Sequence, residues 1–164
     1  MGGSDVAGGA VVRASPSPFA ESGVKLFGGD GFKLAEAGEA AVEAALDDAG
    51  ERPEAEGLGA ITTWDEGRAA YIDSLIARTD ADLSGLSIVV DCANGATTVT
   101  APEVLARLGA RVEAIGARPD GININEGCGS TDLRLLSASV VAAGADLGLA
   151  FDGDGDRALA VDAT

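Results

Sequence analysis

The stretch ADLGLAFDGDGDRALAV, Ala145 to Val161, decides how the chain is read. An apolar run, Ala145 to Phe151, leads into Asp152-Gly153-Asp154-Gly155-Asp156-Arg157, and a second apolar run, Ala158 to Val161, follows. Short apolar runs bounded by turn residues read as strands, so an acidic loop is tethered between two of them. In an extended strand, carboxylates two residues apart share one face. In a turn relaxed by Gly153 and Gly155 they converge on one point instead, because glycine lets the backbone curl. Crowded like charges are unfavourable unless something positive sits among them. An oxygen-loving divalent cation fits, and Mg2+ suits a few carboxylates with its other positions left to water or phosphate. The competing reading is a solvated acidic turn, which so acidic a chain also produces. An EF-hand is excluded: no acidic residue occupies position 12 counted from Asp152, which is Ala163, and no helical segment precedes it.

Upstream of this loop the pattern alternates. Leu86 to Val90 is a near-continuous apolar run, as expected of a strand covered on both faces. Asp91-Cys92-Ala93-Asn94-Gly95-Ala96 forms a loop at its carboxyl end. A helix from about Thr100 to Leu108 ends at Gly109, Arg111 to Ile115 is a second strand, and Gly116 to Ser130 is a long loop. Thr131 is expected to cap a helix that runs through Ala143 and stops at Gly144, before a third strand from Asp146 to Phe151. This alternation predicts an α/β, three-layer domain: a mostly parallel sheet covered by helices. Ligands in such sheets gather beyond the carboxyl ends of strands, where the loops at Asp91 and Asp152 both leave. Neither the glycine fingerprint of dinucleotide sites nor a Gly-Lys-Ser/Thr phosphate loop lies between strand and helix.

The residues before this domain read as a partial α/β domain. Ala10 to Ala14 is a short strand running into Ser15-Pro16-Ser17-Pro18, where proline ends strand pairing. Val24 to Phe27 is a second strand, followed by the turn Gly28-Gly29-Asp30-Gly31. Ala35 to Ala49 is helical by composition, with a small-residue stripe at Ala37, Ala41, Ala44 and Ala45 and a stop at Gly50. Asp65 is expected to cap a helix to Arg78 with Ala69, Ile72, Leu75 and Ile76 on one side. Asp80-Ala81-Asp82 marks the boundary, giving expected domains of 1–80 and 81–164.

Composition narrows the function. The 164 residues carry 11 Lys and Arg against 27 Asp and Glu, a formal charge of -16. Such a surface repels nucleic acid and anionic membranes. It still allows a small phosphorylated molecule held beside a cation. Hydrophobic residues make up 46% of the chain, ample for a core, yet no apolar run approaches the roughly 18 residues of a membrane helix. Met1 to Asp5 lacks the basic start and apolar core of a secretory leader. Cys92 and Cys128 make neither a disulfide framework nor a thiolate metal cluster. With no histidine in the chain, chemistry falls to carboxylate, lysine, hydroxyl and metal.

Three stretches together resemble the alpha-D-phosphohexomutase family: VVDCANGA at Val89 to Ala96, GININEGCGSTD at Gly121 to Asp132, and LAFDGDGDR at Leu149 to Arg157. The similarity runs from about Ala10 to the C-terminus, and the middle stretch tilts it to the bacterial phosphoglucosamine mutase branch. The resemblance implies an isomerase that moves a phosphoryl group between the 6- and 1-positions of a hexose. The route is a phosphoserine and a bisphosphorylated intermediate, with Mg2+, in the cytoplasm. Its partner is a phosphorylated hexose or hexosamine, here glucosamine 6-phosphate going to glucosamine 1-phosphate. Phosphomannomutase/phosphoglucomutase activity is one alternative, and a non-catalytic truncated paralogue another.

Carried onto this sequence, the resemblance implies that Asp152, Asp154 and Asp156 hold the ion, with a phosphorylated Ser15 as a further ligand. Arg157 would lie by the phosphoryl group, and Lys25 would handle protons. The family's loop reads Ser-Ala-Ser-His-Asn-Pro, then Asp-Asn-Gly-Ile-Lys. This chain has Arg13-Ala14-Ser15-Pro16-Ser17-Pro18, then Glu21-Ser22-Gly23-Val24-Lys25. Loss of the imidazole removes a proton carrier, and Pro16 deletes a backbone N–H and restricts the residue before it. The family has four domains, of which this chain is expected to hold the end of the first and the second. Substrate positioning supplies much of such a rate, so the isolated chain is expected to be inactive. A dimer, or missing domains supplied elsewhere, is left open by the sequence.

Overall fold

The computed structural model describes residues 6–13, 19–21, 23–46, 50, 54 and 57–163. The chain divides into two compact units, one of Met1–Val12 with Val24–Trp64, the other of Arg13–Gly23 with Asp65–Thr164.

In the first unit, β1 (Gly8–Arg13) and β2 (Gly23–Gly28) form a two-stranded sheet, with Arg13 and Gly23 at their ends grouped with the second unit. A tight turn follows β2: the Phe32 N–H donates to Asp30 Oδ1 at 3.0 Å, and the Gly28 N–H to the Phe32 carbonyl at 2.9 Å. Helix α1 (Glu36–Leu46) has two glutamates in its first turn, where carboxylates complement the helix dipole. It buries no residue, and Ala37, Ala41, Ala44 and Ala45 of the small-residue stripe are all exposed. Its expected end at Ala49 lies outside the described residues. Among the described residues of this unit none is buried.

The second unit holds the core. Its elements are α2 (Gly67–Ile76), β3 (Ser87–Asp91), α3 (Ala101–Arg107), β4 (Arg111–Ile115), α4 (Arg134–Ala143), β5 (Leu147–Phe151) and β6 (Ala158–Val161). The sheet runs in the order β4-β3-β5-β6. β3 pairs parallel with both β4 and β5, whereas β6 pairs antiparallel with β5. The sheet is therefore mixed, with β6 as its antiparallel edge. Central β3 is buried from Ile88 to Asp91, which is why it lacks the alternation of a half-exposed strand.

Period-two geometry sends Val89 to one face, where it meets Leu136 and Val140 of α4 together with Ala145 and Ala150. Each fully buried aliphatic side chain here contributes ~2 kcal/mol. α3 packs on β4, and α2 packs on α3, with an Arg107–Asp73 ion pair of 2.8 Å between the two helices and Ile72 of α2 fully buried. From β3 the chain crosses to β4 on one side, then returns past β3 to β5 on the other. Such a reversal of strand order is a topological switch point, and it opens a crevice between the carboxyl ends of β3 and β5.

Two expected caps are corrected. α2 starts after Glu66 with no side-chain cap, so Asp65 does not fill that role, and Ala69 on this helix is exposed. α4 starts at Arg134, three residues beyond Thr131, because Gly129–Thr131 is taken up in a 3-10 turn. The carboxylate of Asp132 then accepts the Arg134 N–H at 3.2 Å and its guanidinium Nε at 2.8 Å, which holds the Asp132 carboxyl at about 2. The other end follows expectation: Gly144 sits at φ 58° and closes α4.

Cys92 and Cys128 are both free thiols and both buried. Burial pushes each thiol up, from an ordinary value of 9.0 to about 11, with the Asp91 charge adding to it. The protonated thiol is thus favoured in the folded protein. That stability is fully present below pH 9.0 and is lost as pH rises through about 11. Ellman's reagent at pH 8 is expected to leave both cysteines unmodified until urea unfolds the chain; prompt reaction of either in the native protein contradicts this.

Candidate functional site

β5 and β6 are joined by six residues, Asp152 to Arg157, and the register pair Phe151–Ala158 closes them into a hairpin loop. Of the two conformations open to this stretch, the chain takes the turn. The Gly155 N–H donates to the Asp152 carbonyl at 3.0 Å, and the Arg157 N–H to Asp152 Oδ1 at 3.1 Å. Gly155 holds φ 73°, a left-handed conformation that a side chain would strain. The three carboxylates consequently face one another, one oxygen of each lying within 4.8 Å of the others. Asp152 is fully buried, Asp154 half-buried and Asp156 exposed.

The loop after β3 lies against this hairpin. The Ala96 N–H donates to the Gly153 carbonyl at 2.9 Å. A Cβ on Gly95 would run into that same carbonyl, so only glycine allows the two backbones to touch. Asp91, wholly buried at the end of β3, accepts the Ala93 N–H at 3.0 Å on Oδ1 and the Gly129 N–H at 2.7 Å on Oδ2. One carboxylate therefore fastens the β3 loop to the long loop before α4. Asn94 completes the junction: its Oδ1 accepts the Arg118 N–H at 3.0 Å, and its Nδ2 donates to the Asn123 carbonyl at 3.3 Å. Asn123 in turn donates to the Arg118 carbonyl at 3.0 Å and accepts the Asp120 N–H at 3.1 Å. These asparagines are spent on loop structure.

The donor set suits a hard divalent cation: carboxylate oxygens only, from one short closed loop. A second observation agrees. Asp154 Oδ1 is buried and has no hydrogen-bond partner among the described residues. A desolvated carboxylate oxygen without a partner is costly and is satisfied by a cation. The other oxygen, Oδ2, pairs with Arg13 Nη1 at 2.7 Å, and the same nitrogen lies 3.7 Å from Asp156 Oδ2. Arg157 is more exposed, its Nε 3.7 Å from Asp156 Oδ1. Lys25 sits half-buried in β2 of the first unit, and Ser15 lies outside the described residues.

Sequence reasoning passed over Arg13 and Asp91. Both left a trace: Arg13 is a cation where the resembling family carries a neutral serine, and Asp91 is a charge closing an otherwise apolar strand. Among the described residues no helix is long and apolar enough to cross a membrane.

Comparison with known proteins places these features in a group. The family profile described as phosphoglucomutase/phosphomannomutase, alpha/beta/alpha domain II, matches residues 69–164. A phosphoglucosamine mutase of Rhodococcus erythropolis is 48% identical over 158 residues, covering 95% of this chain and 36% of that protein. One from Streptococcus pyogenes serotype M5 is 47% identical over 159 residues, covering 95% of this chain and 35% of its own. The chain thus spans about a third of the length of the curated relatives it matches. A solved phosphoglucomutase/phosphomannomutase family protein from Burkholderia thailandensis superposes with a TM-score of 0.76 at 27% identity, over 93% of this chain and 33% of that one.

Proposed function

This chain belongs to the phosphoglucomutase/phosphomannomutase family, and from that premise we propose that it forms the cation-holding part of a phosphoglucosamine mutase. The reaction is intramolecular phosphoryl transfer between glucosamine 6-phosphate and glucosamine 1-phosphate through a phosphoserine, with Mg2+ as the ion. The identity of 48% to a phosphoglucosamine mutase, over 95% of this chain, supports this sugar class over the phosphomannomutase reading. Residues 1–80 would be the end of the family's first domain and 81–164 its second.

In this reading Asp152, Asp154 and Asp156 hold the cation. When bound, Mg2+ would offset the negative charge of a phosphoryl group in transfer. Ser15 carries the phosphate, and Arg157, exposed at the loop's end, presents its guanidinium to phosphate oxygens. Lys25 moves a proton at its Nζ. Pro16 and Ser17 leave Ser15 without a neighbouring imidazole, so proton handling falls more heavily on Lys25. The whole reaction is proposed for an arrangement larger than these 164 residues; alone, the chain is expected to perform at most the serine phosphorylation.

The observation that carries the reading is the closed hairpin that turns three carboxylates inward and leaves Asp154 Oδ1 buried without a hydrogen-bond partner among the described residues. Intact-mass analysis after incubation with glucose 1,6-bisphosphate and Mg2+ tests it. One added phosphate mapped to Ser15 is expected, and Asp154→Asn should slow its incorporation by roughly a hundredfold or more, as for loss of a direct metal ligand. An unchanged mass at millimolar Mg2+ would overturn serine phosphorylation.

A further inference from the structure

Arg13 is the last residue of β1 and stands two positions before Ser15. Its guanidinium spans two of the three clustered carboxylates, at 2.7 Å from Asp154 Oδ2 and 3.7 Å from Asp156 Oδ2. The contact is well shielded, with the side chains of Arg13 and Asp154 only 24% and 13% exposed. Ion pairs in such settings are screened less than those on an open surface. A guanidinium does not lose its proton in proteins, so this charge is permanent.

These facts pull in two directions. An inward-facing triad is poorly stable without positive charge, and Arg13 supplies one. A divalent cation needs oxygens of the same carboxylates at about 2 Å. A guanidinium within hydrogen-bond reach of Asp154 would then lie a few ångströms from the ion, where the repulsion is large compared with thermal energy. Arg13 holds Asp154 Oδ2 while Oδ1 stays open to an ion, so the guanidinium opposes cation binding by repulsion at short range.

We propose that Arg13 is a tethered counter-ion of the acidic triad that competes with a divalent cation there and weakens its binding. Arg13 thereby lowers the affinity of the site for divalent cations. The inference rests on the reading of Asp152, Asp154 and Asp156 as cation ligands, and it concerns what competes with the cation there.

The test is a titration of the full chain with Mn2+, following the free ion by electron paramagnetic resonance. Arg13→Ser is expected to bind Mn2+ about ten- to a hundredfold more tightly than the wild type, the range set by loss of one charge-assisted contact. Arg13→Lys, which keeps a charge without the fork, should fall between them. Without metal, Arg13→Ser should melt at a lower temperature than the wild type, and Mn2+ should restore it. If Arg13→Ser does not fold, Arg13→Gln carries the same expectation. Measurable and equal affinities in wild type and variants would overturn the proposal while leaving the cation site intact. No binding in any of them at millimolar Mn2+ would overturn both.

Discussion

Asp91→Ala is expected to destabilise the chain by about 4 kcal/mol. The substitution removes little volume, but it strips the acceptors from two N–H groups, those of Ala93 and Gly129, at a wholly buried position. Each stranded donor costs roughly 1–3 kcal/mol. Against the 5–15 kcal/mol that holds a typical domain together, that loss amounts to roughly 10 to 20 °C in Tm. Asp91→Asn sharpens the test. Its carbonyl oxygen can still accept one N–H, but its amide then turns a donor toward the other. The asparagine variant is expected to be nearly as unstable as the alanine one, though closely isosteric. Urea denaturation of both variants reads this directly. A loss below about 1 kcal/mol in either would mean that the carboxylate is not what fastens the two loops.

The second large effect is expected at Gly95. A Cβ there meets the Gly153 backbone, which unlike a side-chain tip has no alternative rotamer. Gly95→Ala must therefore separate the two loops, break the Ala96–Gly153 hydrogen bond and shift the acidic hairpin. Overpacking of this kind costs about 1–3 kcal/mol. The functional effect is sharper, because ligands displaced by more than about 0.5 Å no longer converge. Mn2+ affinity is expected to fall at least about tenfold. Gly59→Ala is the control: a Cβ there meets nothing within 4 Å, and its stability should stay within about 0.5 kcal/mol of wild type. Equal Mn2+ affinity in Gly95→Ala and wild type would show that the hairpin holds its shape without the β3 loop.

Much of the second unit could be read from local pattern. β4 occupies Arg111–Ile115, the bounds expected of it, and Gly144 stops α4 because a left-handed residue ends a helix whatever surrounds it. The acidic hairpin was legible because glycine spacing and flanking apolar runs are local signals. What local pattern could not reveal depends on partners distant in the chain. The cap expected of Thr131 failed because Gly129–Thr131 forms a tight turn whose first N–H is bound by Asp91, 38 residues away. Arg13 reaches Asp154 from the other end of the chain, and no spacing rule links them. In α1, composition signalled a helix, but an alanine-rich face does not say whether anything will cover it.

The hydrogen bonds at the mouth of the sheet form a series: Gly153 to Ala96, then through the β3 loop to Asp91, then to Gly129. Segments that lean on one another in this way do not fray singly. Amide hydrogen exchange at Ala93, Ala96 and Gly129 should therefore proceed through one shared opening event, with a common free energy that Asp91→Ala lowers at all three positions together. The ligand-holding rim would then behave as a single cooperative lid on the sheet, either wholly formed or wholly released.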